Sequence, residues 1–216
     1  MALAQERPLA DLPLHALPAS GTNPLLVVFL SGDGNWAELD QTVSQALVEH
    51  GVAVVGLESR AYLRRAPRKG PDTFARDLER ILREYLQAWG RTSVAIVGYS
   101  RGAELAPFGA SRLPVDLRRR LRLVALLGPQ TSANFTFHLS DLLGDRQRDD
   151  DIPMLPEIAK LSGTRILCVY GVEERQSLCP LLPAGSARVV LKSGGHHFDK
   201  NYPALASLIL DESKAP

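Results

Sequence analysis

"VAIVGYSRGAE", Val94 to Glu104, runs four apolar strand formers into Gly98-Tyr99-Ser100-Arg101-Gly102 and then continues in helical composition. Glycines are common wherever a strand must turn tightly into a helix. A serine on such a turn has a second use, because a sharp bend at the tip of a strand holds its hydroxyl out where a substrate reaches it. Ser100 is therefore read in two ways, as the cap of a helix beginning at Arg101 or as a nucleophile. Both readings place a strand before Gly98 and a helix after Gly102.

The same rhythm extends in both directions. Apolar, β-branched runs recur at Leu25–Leu30, Val52–Leu57, Val94–Val97, Leu121–Leu127, Ile166–Tyr170 and Val189–Leu191, with charged helical stretches between most of them. The clearest helix is Asp72–Trp89, with Phe74, Leu78, Ile81, Leu82, Tyr85 and Leu86 at helical spacing and Gly90 after it. Others are expected over Trp36–His50, Arg101–Arg112 and Pro203–Leu210. Strands alternating with helices predict a mainly parallel sheet covered on both faces. Residues 1–23, rich in Pro, Ala and Leu, read as an N-terminal arm or an added edge strand, and 24–216 as a single domain.

A chain of 216 residues with 45% hydrophobic content suits one α/β domain. A net charge of +1 supplies no field that would argue for nucleic acid. No apolar run reaches the ~18 residues that a transmembrane helix needs. Ala2-Leu3-Ala4 has the form of a signal-peptidase site, consistent either with a secreted protein whose leader has been removed or with an ordinary alanine-rich tail. The two cysteines, Cys168 and Cys179, flank "CVYGVEERQSLC". A bridge between them would close a short loop, contribute about 2–3 kcal/mol and imply an oxidising compartment. The alternative is a buried Cys168 with an unrelated Cys179.

In open parallel sheets, ligands bind outside the carboxyl ends of the strands. A serine nucleophile there needs an imidazole to take its proton and a carboxylate to orient the imidazole. Behind Gly98-x-Ser100-x-Gly102 the chain offers "YGVEE" (170–174) after the penultimate strand and "SGGHHF" (193–198) after the last. Serine, acid, histidine is the order of the α/β-hydrolases, and predicts that fold, compact and without a large lid domain. Spacing from the strand-ending glycine favours Glu174 over Glu173 as the acid. A Gly-His-x-Phe arrangement favours His196 over His197 as the base.

Two backbone N–H donors are needed for the developing oxyanion. Arg101, after the nucleophile, is one; Asp33 in "FLSGDGNW" is the other, with Gly34 the alternate. Adjacent histidines can suggest a metal, but no third ligand stands at a suitable spacing, and His138 reads as a loop-packing residue. The chemistry requires no cofactor.

"LSGDGNWAELD", "VGYSRGAELAPF", "ANFTFHLSDLLG", "CVYGVEERQSLCP" and "GGHHFDKNY" resemble the bacterial virulence protein VirJ family, which includes the C-terminal domain of AcvB. The resemblance implies a periplasmic α/β-hydrolase. It also implies hydrolysis of aminoacyl-phosphatidylglycerol, with release of lysine or alanine, and a link to type IV secretion components or substrates. The expected partner is then an aminoacylated phospholipid head group at the membrane surface. Arg60, Arg64 and Arg65 of "ESRAYLRRAPRK" would meet phosphate or the anionic surface, and Glu58, Asp33, Glu104 and Asp199 are candidates for the substrate ammonium. Where the family pattern usually has an aspartate and an aromatic-rich segment, this chain has Glu58 and an arginine-rich run. Alternative readings are an esterase or thioesterase of a soluble substrate, and a non-catalytic interaction factor.

Overall fold

The computed structural model describes residues 9–65, 70–136 and 148–214. The segments containing Ala2-Leu3-Ala4 and His138 lie outside them. Seven strands form the central sheet: β1 (Leu14–Leu17), β2 (Leu25–Leu30), β3 (Ala53–Leu57), β4 (Ser93–Tyr99), β5 (Leu121–Leu127), β8 (Arg165–Gly171) and β9 (Arg188–Lys192). Their spatial order is β1-β3-β2-β4-β5-β8-β9, and only β1 runs antiparallel to its neighbour. A two-stranded pair, β6 (Ser132–Ala133) and β7 (Ile152–Pro153), stands apart.

The inner strands are buried on both faces, which is why β2, β3, β4 and β5 are almost continuously apolar, whereas the edge strand β9 is largely exposed. Along β2, Leu26, Val28 and Leu30 enter one core while Leu25, Val27 and Phe29 enter the other. The first core is closed by α3 (Pro71–Ala88) and α4 (Arg101–Ser111), through Phe74, Leu78, Ile81 and Phe108. The second is closed by α1 (Glu38–Glu49) and α7 (Tyr202–Lys214), through Leu39, Val43, Leu47, Leu205 and Ile209. Shorter helices are α2 (Ser59–Arg64), α5 (Val115–Arg118) and α6 (Leu155–Ala159).

Residues 9–23 add a strand to the same sheet. β1 pairs with β3, and the buried Arg91 guanidinium holds the following turn by donating to the carbonyls of Ala19 (2.7 Å), Gly21 (3.2 Å) and Asn23. The "ESRAYLRR" run, which carries no helical expectation from sequence, is largely helical in α2. Its Tyr62 is fully buried and its hydroxyl donates to Asp77 at 2.8 Å, so an apolar ring inside the charged run anchors the turn. Among the described residues no helix is long and apolar enough to cross a membrane.

Candidate active site

The joint between β4 and α4 has no spare room. A Cβ on Gly98 would lie 2.3 Å from the Gly102 carbonyl oxygen, and one on Gly102 would lie 2.0 Å from that of Leu30. The helix therefore starts directly against the sheet, and Ser100 turns the corner at φ 51° and ψ −119°. That backbone conformation is rare for a residue with a side chain. The Ser100 hydroxyl makes no capping bond to α4. Its N–H instead donates to Leu127 O at 2.8 Å, tying the turn to the end of β5.

The next residue, Gly128, connects that turn to the histidine loop. It has φ 61°, and a Cβ there would lie 2.9 Å from both Cε1 and Nδ1 of His196 and 3.3 Å from Glu174 Oε1. His196 Nδ1 stands 2.6 Å from Glu174 Oε1, while Glu174 Oε2 accepts the Gly171 N–H at 2.6 Å. The carboxylate is thus fixed on both oxygens, one by the end of β8 and one by the imidazole. Glu173 is exposed, and its N–H donates to Gly194 O at 3.1 Å. His197 Nδ1 lies 2.9 Å from the Tyr99 hydroxyl. Geometry thus pairs Glu174 with His196 and places their alternates elsewhere. Among the described residues no hydrogen bond joins the Ser100 hydroxyl to His196 in this conformation; such bonds often tighten only when substrate binds.

Tyr99 was not among the residues expected from sequence. Its ring stacks on His196 with centroids 5.1 Å apart, and its hydroxyl reaches the His196 carbonyl at 3.3 Å as well as His197. Burial pushes its phenol above the ordinary range. Nothing in the Gly-x-Ser-x-Gly pattern specifies the residue before the serine, so this support is legible only once the last loop is folded back.

The loop after β2 passes beside the serine. A Cβ on Gly32 would lie 3.3 Å from Ser100 Cβ. Ser31 Oγ accepts the Ser59 N–H and donates to Gly32 O, both at 3.1 Å, which ties this loop to the start of α2. Asp33 follows Gly32, and Gly34 beyond it is exposed. Arg101 opens α4 ahead of the first intrahelical bond, which Glu104 N–H makes to Ser100 O at 3.1 Å. The Arg101 side chain is buried, donating from Nε to Asp33 (3.2 Å) and from Nη1 to Glu104 (2.8 Å). One guanidinium thus clamps together the two loops expected to supply the oxyanion donors.

Beneath the same loop, Asp40 is buried and accepts the Ala37 N–H at 2.9 Å, closing the first turn of α1. Desolvation pushes its carboxyl up to about 7. Glu58, a candidate for substrate, is engaged by His15 Nε2 at 2.7 Å. Arg60 donates to Asp33 O at 3.3 Å, and Arg65 donates to Asp11 O. Asp199 is exposed at φ 48°, with its carboxylate against the Gly194 backbone. Glu104 faces a cavity of about 470 Å³ together with Arg101, Gln130 and Arg175. Glu58 and Glu104 are thus each engaged by a different basic side chain, His15 and Arg101.

Cys168 and Cys179 form a disulfide, with Cα atoms 5.5 Å apart. The bridge joins β8 to the 3-10 turn Cys179–Leu181 and encloses the segment that carries Glu174. Among the described residues no group of three His, Cys, Asp or Glu side chains is placed to share a metal ion.

Comparison with solved structures shows that this architecture is the α/β-hydrolase fold. MenH from S. aureus matches with a TM-score of 0.67 at 13% identity, over 93% of this chain and 97% of its own. The enol-lactonase from Burkholderia xenovorans matches with a TM-score of 0.63 at 16% identity, over 95% and 99%. The thioesterase domain from the curacin biosynthetic pathway gives 0.62 at 19% identity, over 91% and 94%. Comparison with the curated proteins finds no match. The profile of the bacterial virulence protein (VirJ) family matches residues 24–215. The motif order, the strand order and a match over nearly all of the sheet lead to one assignment: the chain belongs to the bacterial virulence protein (VirJ) family.

Proposed function

We propose that this chain is a serine hydrolase of carboxylic esters, with Ser100 as nucleophile, His196 as base and Glu174 as the orienting acid. The observation that carries the reading is the Glu174–His196 pair at 2.6 Å, packed on Gly128 directly after the carbonyl that holds the strained Ser100 turn. With Nδ1–H donated to Glu174, the imidazole keeps Nε2 as the proton acceptor. Ser100 Oγ gives its proton to Nε2 and bonds to the ester carbonyl carbon. The Asp33 and Arg101 N–H groups stabilise the oxyanion. Collapse expels the alcohol, which takes the proton from His196, and water then cleaves the acyl-enzyme by the same steps in reverse.

The finer reading is that the ester joins an amino acid to phosphatidylglycerol, in the periplasm. Two features support it. The cavity walled by Arg101, Glu104, Gln130 and Arg175 is lined mostly by charged and polar side chains, which suits an aminoacyl or head-group moiety better than a long acyl chain. The disulfide suits an oxidising compartment. Relatives in fold include a thioesterase domain and an enol-lactonase, so soluble esters and thioesters are the comparison substrates. Purified protein is incubated with aminoacylated and plain phosphatidylglycerol and with short acyl esters, and released amino acid or acid is followed. Turnover of the aminoacylated lipid that is lost in Ser100→Ala is expected. Failure of an organophosphonate to label Ser100 would overturn the serine mechanism and favour a non-catalytic interaction role.

A further inference from the structure

Gln130, Arg175, Gln176 and Ser177 line two cavities at once. One, of about 420 Å³, holds Glu174 and His196. The other, of about 470 Å³, has Glu104, Arg148 and Asp151 in its remaining wall. The acids there are engaged: Glu104 receives Arg101, and Asp151 receives the Asn134 side-chain amide (2.8 Å) and the Arg148 N–H (2.8 Å). Arg175 differs from these. It is exposed, and among the described residues no carboxylate forms an ion pair with it. Its sequence neighbour Glu174 is committed to His196 and the Gly171 N–H. A guanidinium therefore stands on the shared wall, beside the reacting groups, with two amide side chains next to it.

We infer that Arg175, with Gln130 and Gln176, forms an oxyanion-recognition subsite that takes a phosphate carried by the group esterified to the scissile acyl unit. A planar guanidinium fork matches phosphate oxygens bidentately, and amide N–H groups complete the shell. Phosphate recognition is thereby assigned to the acid-loop side of the cleft. Arg60 of α2 and Arg65 just after it are instead tied to backbone carbonyls, Arg60 to Asp33 and Arg65 to Asp11. This inference rests on the ester-hydrolase reading for its catalytic consequence, but phosphate binding is measurable without turnover.

The experiment compares an aminoacyl ester of glycerol phosphate, the same ester of plain glycerol, and aminoacyl-phosphatidylglycerol in micelles. Wild type is expected to prefer the phosphate-bearing substrates. Arg175→Gln should lower the ratio of kcat/KM, phosphate-bearing over plain, by about 10-fold, mainly through KM, with partial recovery in Arg175→Lys. Arg122→Gln, an exposed change on β5 at the opposite end of the sheet, should leave the ratio unaltered. Inorganic phosphate titrated calorimetrically into wild type and Arg175→Gln gives the second readout, and binding weakened in the variant supports the subsite even if no ester is turned over. An unchanged ratio, or a lipid preference untouched by Arg175→Gln, overturns it. Absence of any esterase activity with phosphate binding intact and Arg175-dependent would instead sink the hydrolase reading alone.

Discussion

Ser100 holds a backbone conformation that costs on the order of 1 kcal/mol or more for a residue with a side chain, and its hydroxyl caps nothing. Ser100→Gly should therefore raise the denaturation midpoint while abolishing turnover; a fall in stability would mean that the turn is not strained. Gly128 makes the opposite demand. Gly128→Ala pushes a methyl to 2.9 Å from the His196 ring, which must move. A displacement near 1 Å costs about 10²-fold in rate, so kcat should fall by roughly that factor with the circular dichroism spectrum retained. Glu174→Gln should lower kcat far more than Glu173→Gln, since only Glu174 touches the imidazole. The Gly-x-Ser-x-Gly elbow was legible in sequence because its demand is local: two glycines where chain meets chain. Tyr99 and Gly128 were not, because each acts on a loop almost 70 or 100 positions away that only the finished sheet brings near.

At the scale of elements, the acid loop and α1 carry the next consequences. The Cys168–Cys179 bridge encloses the loop bearing Glu174 and Arg175. Reduction should cost about 2–3 kcal/mol and lower kcat in proportion to loosened Glu174–His196 pairing, read by parallel melting and activity curves in dithiothreitol. Asp40 adds a pH dependence. Its folded-state carboxyl is pushed up to about 7 from an ordinary 3.8, so between these values the folded protein holds a proton that the unfolded chain has released. Stability from this group is full at the acid end and is lost as pH rises through about 7. Asp40→Asn keeps an acceptor for the Ala37 N–H and cannot ionise. Its melting temperature relative to wild type should accordingly climb between about pH 4 and pH 7 and level off above; a flat difference across that range would show that Asp40 is not the titrating group. Most strands and the long helix were readable because both faces of the sheet demand apolar residues. Helix α2 was missed because its one deeply buried aromatic, Tyr62, is hidden among arginines.

For the whole molecule, the sheet is covered on both sides, one core being closed by α3 and α4 and the other by α1 and α7. Residues 9–23 are joined to the sheet through β1 and through Arg91, whose buried guanidinium serves three backbone carbonyls. Arg91→Ala strips those acceptors of a charged donor. It should cost about 2–3 kcal/mol in urea unfolding and open residues 9–23 to limited proteolysis; resistance equal to wild type would show that strand pairing alone retains the segment. Sequence composition offered either an arm or an edge strand here, because four residues at a sheet margin carry no period long enough to distinguish them.

The enclosed acid loop also bears on how the protein is best produced. Material made in a reducing cytosol will carry two thiols in place of the crosslink, and should pass as correctly folded by size and spectrum while its specific activity stays low. Export, or expression in an oxidising host, is the route by which an assay of this protein becomes interpretable.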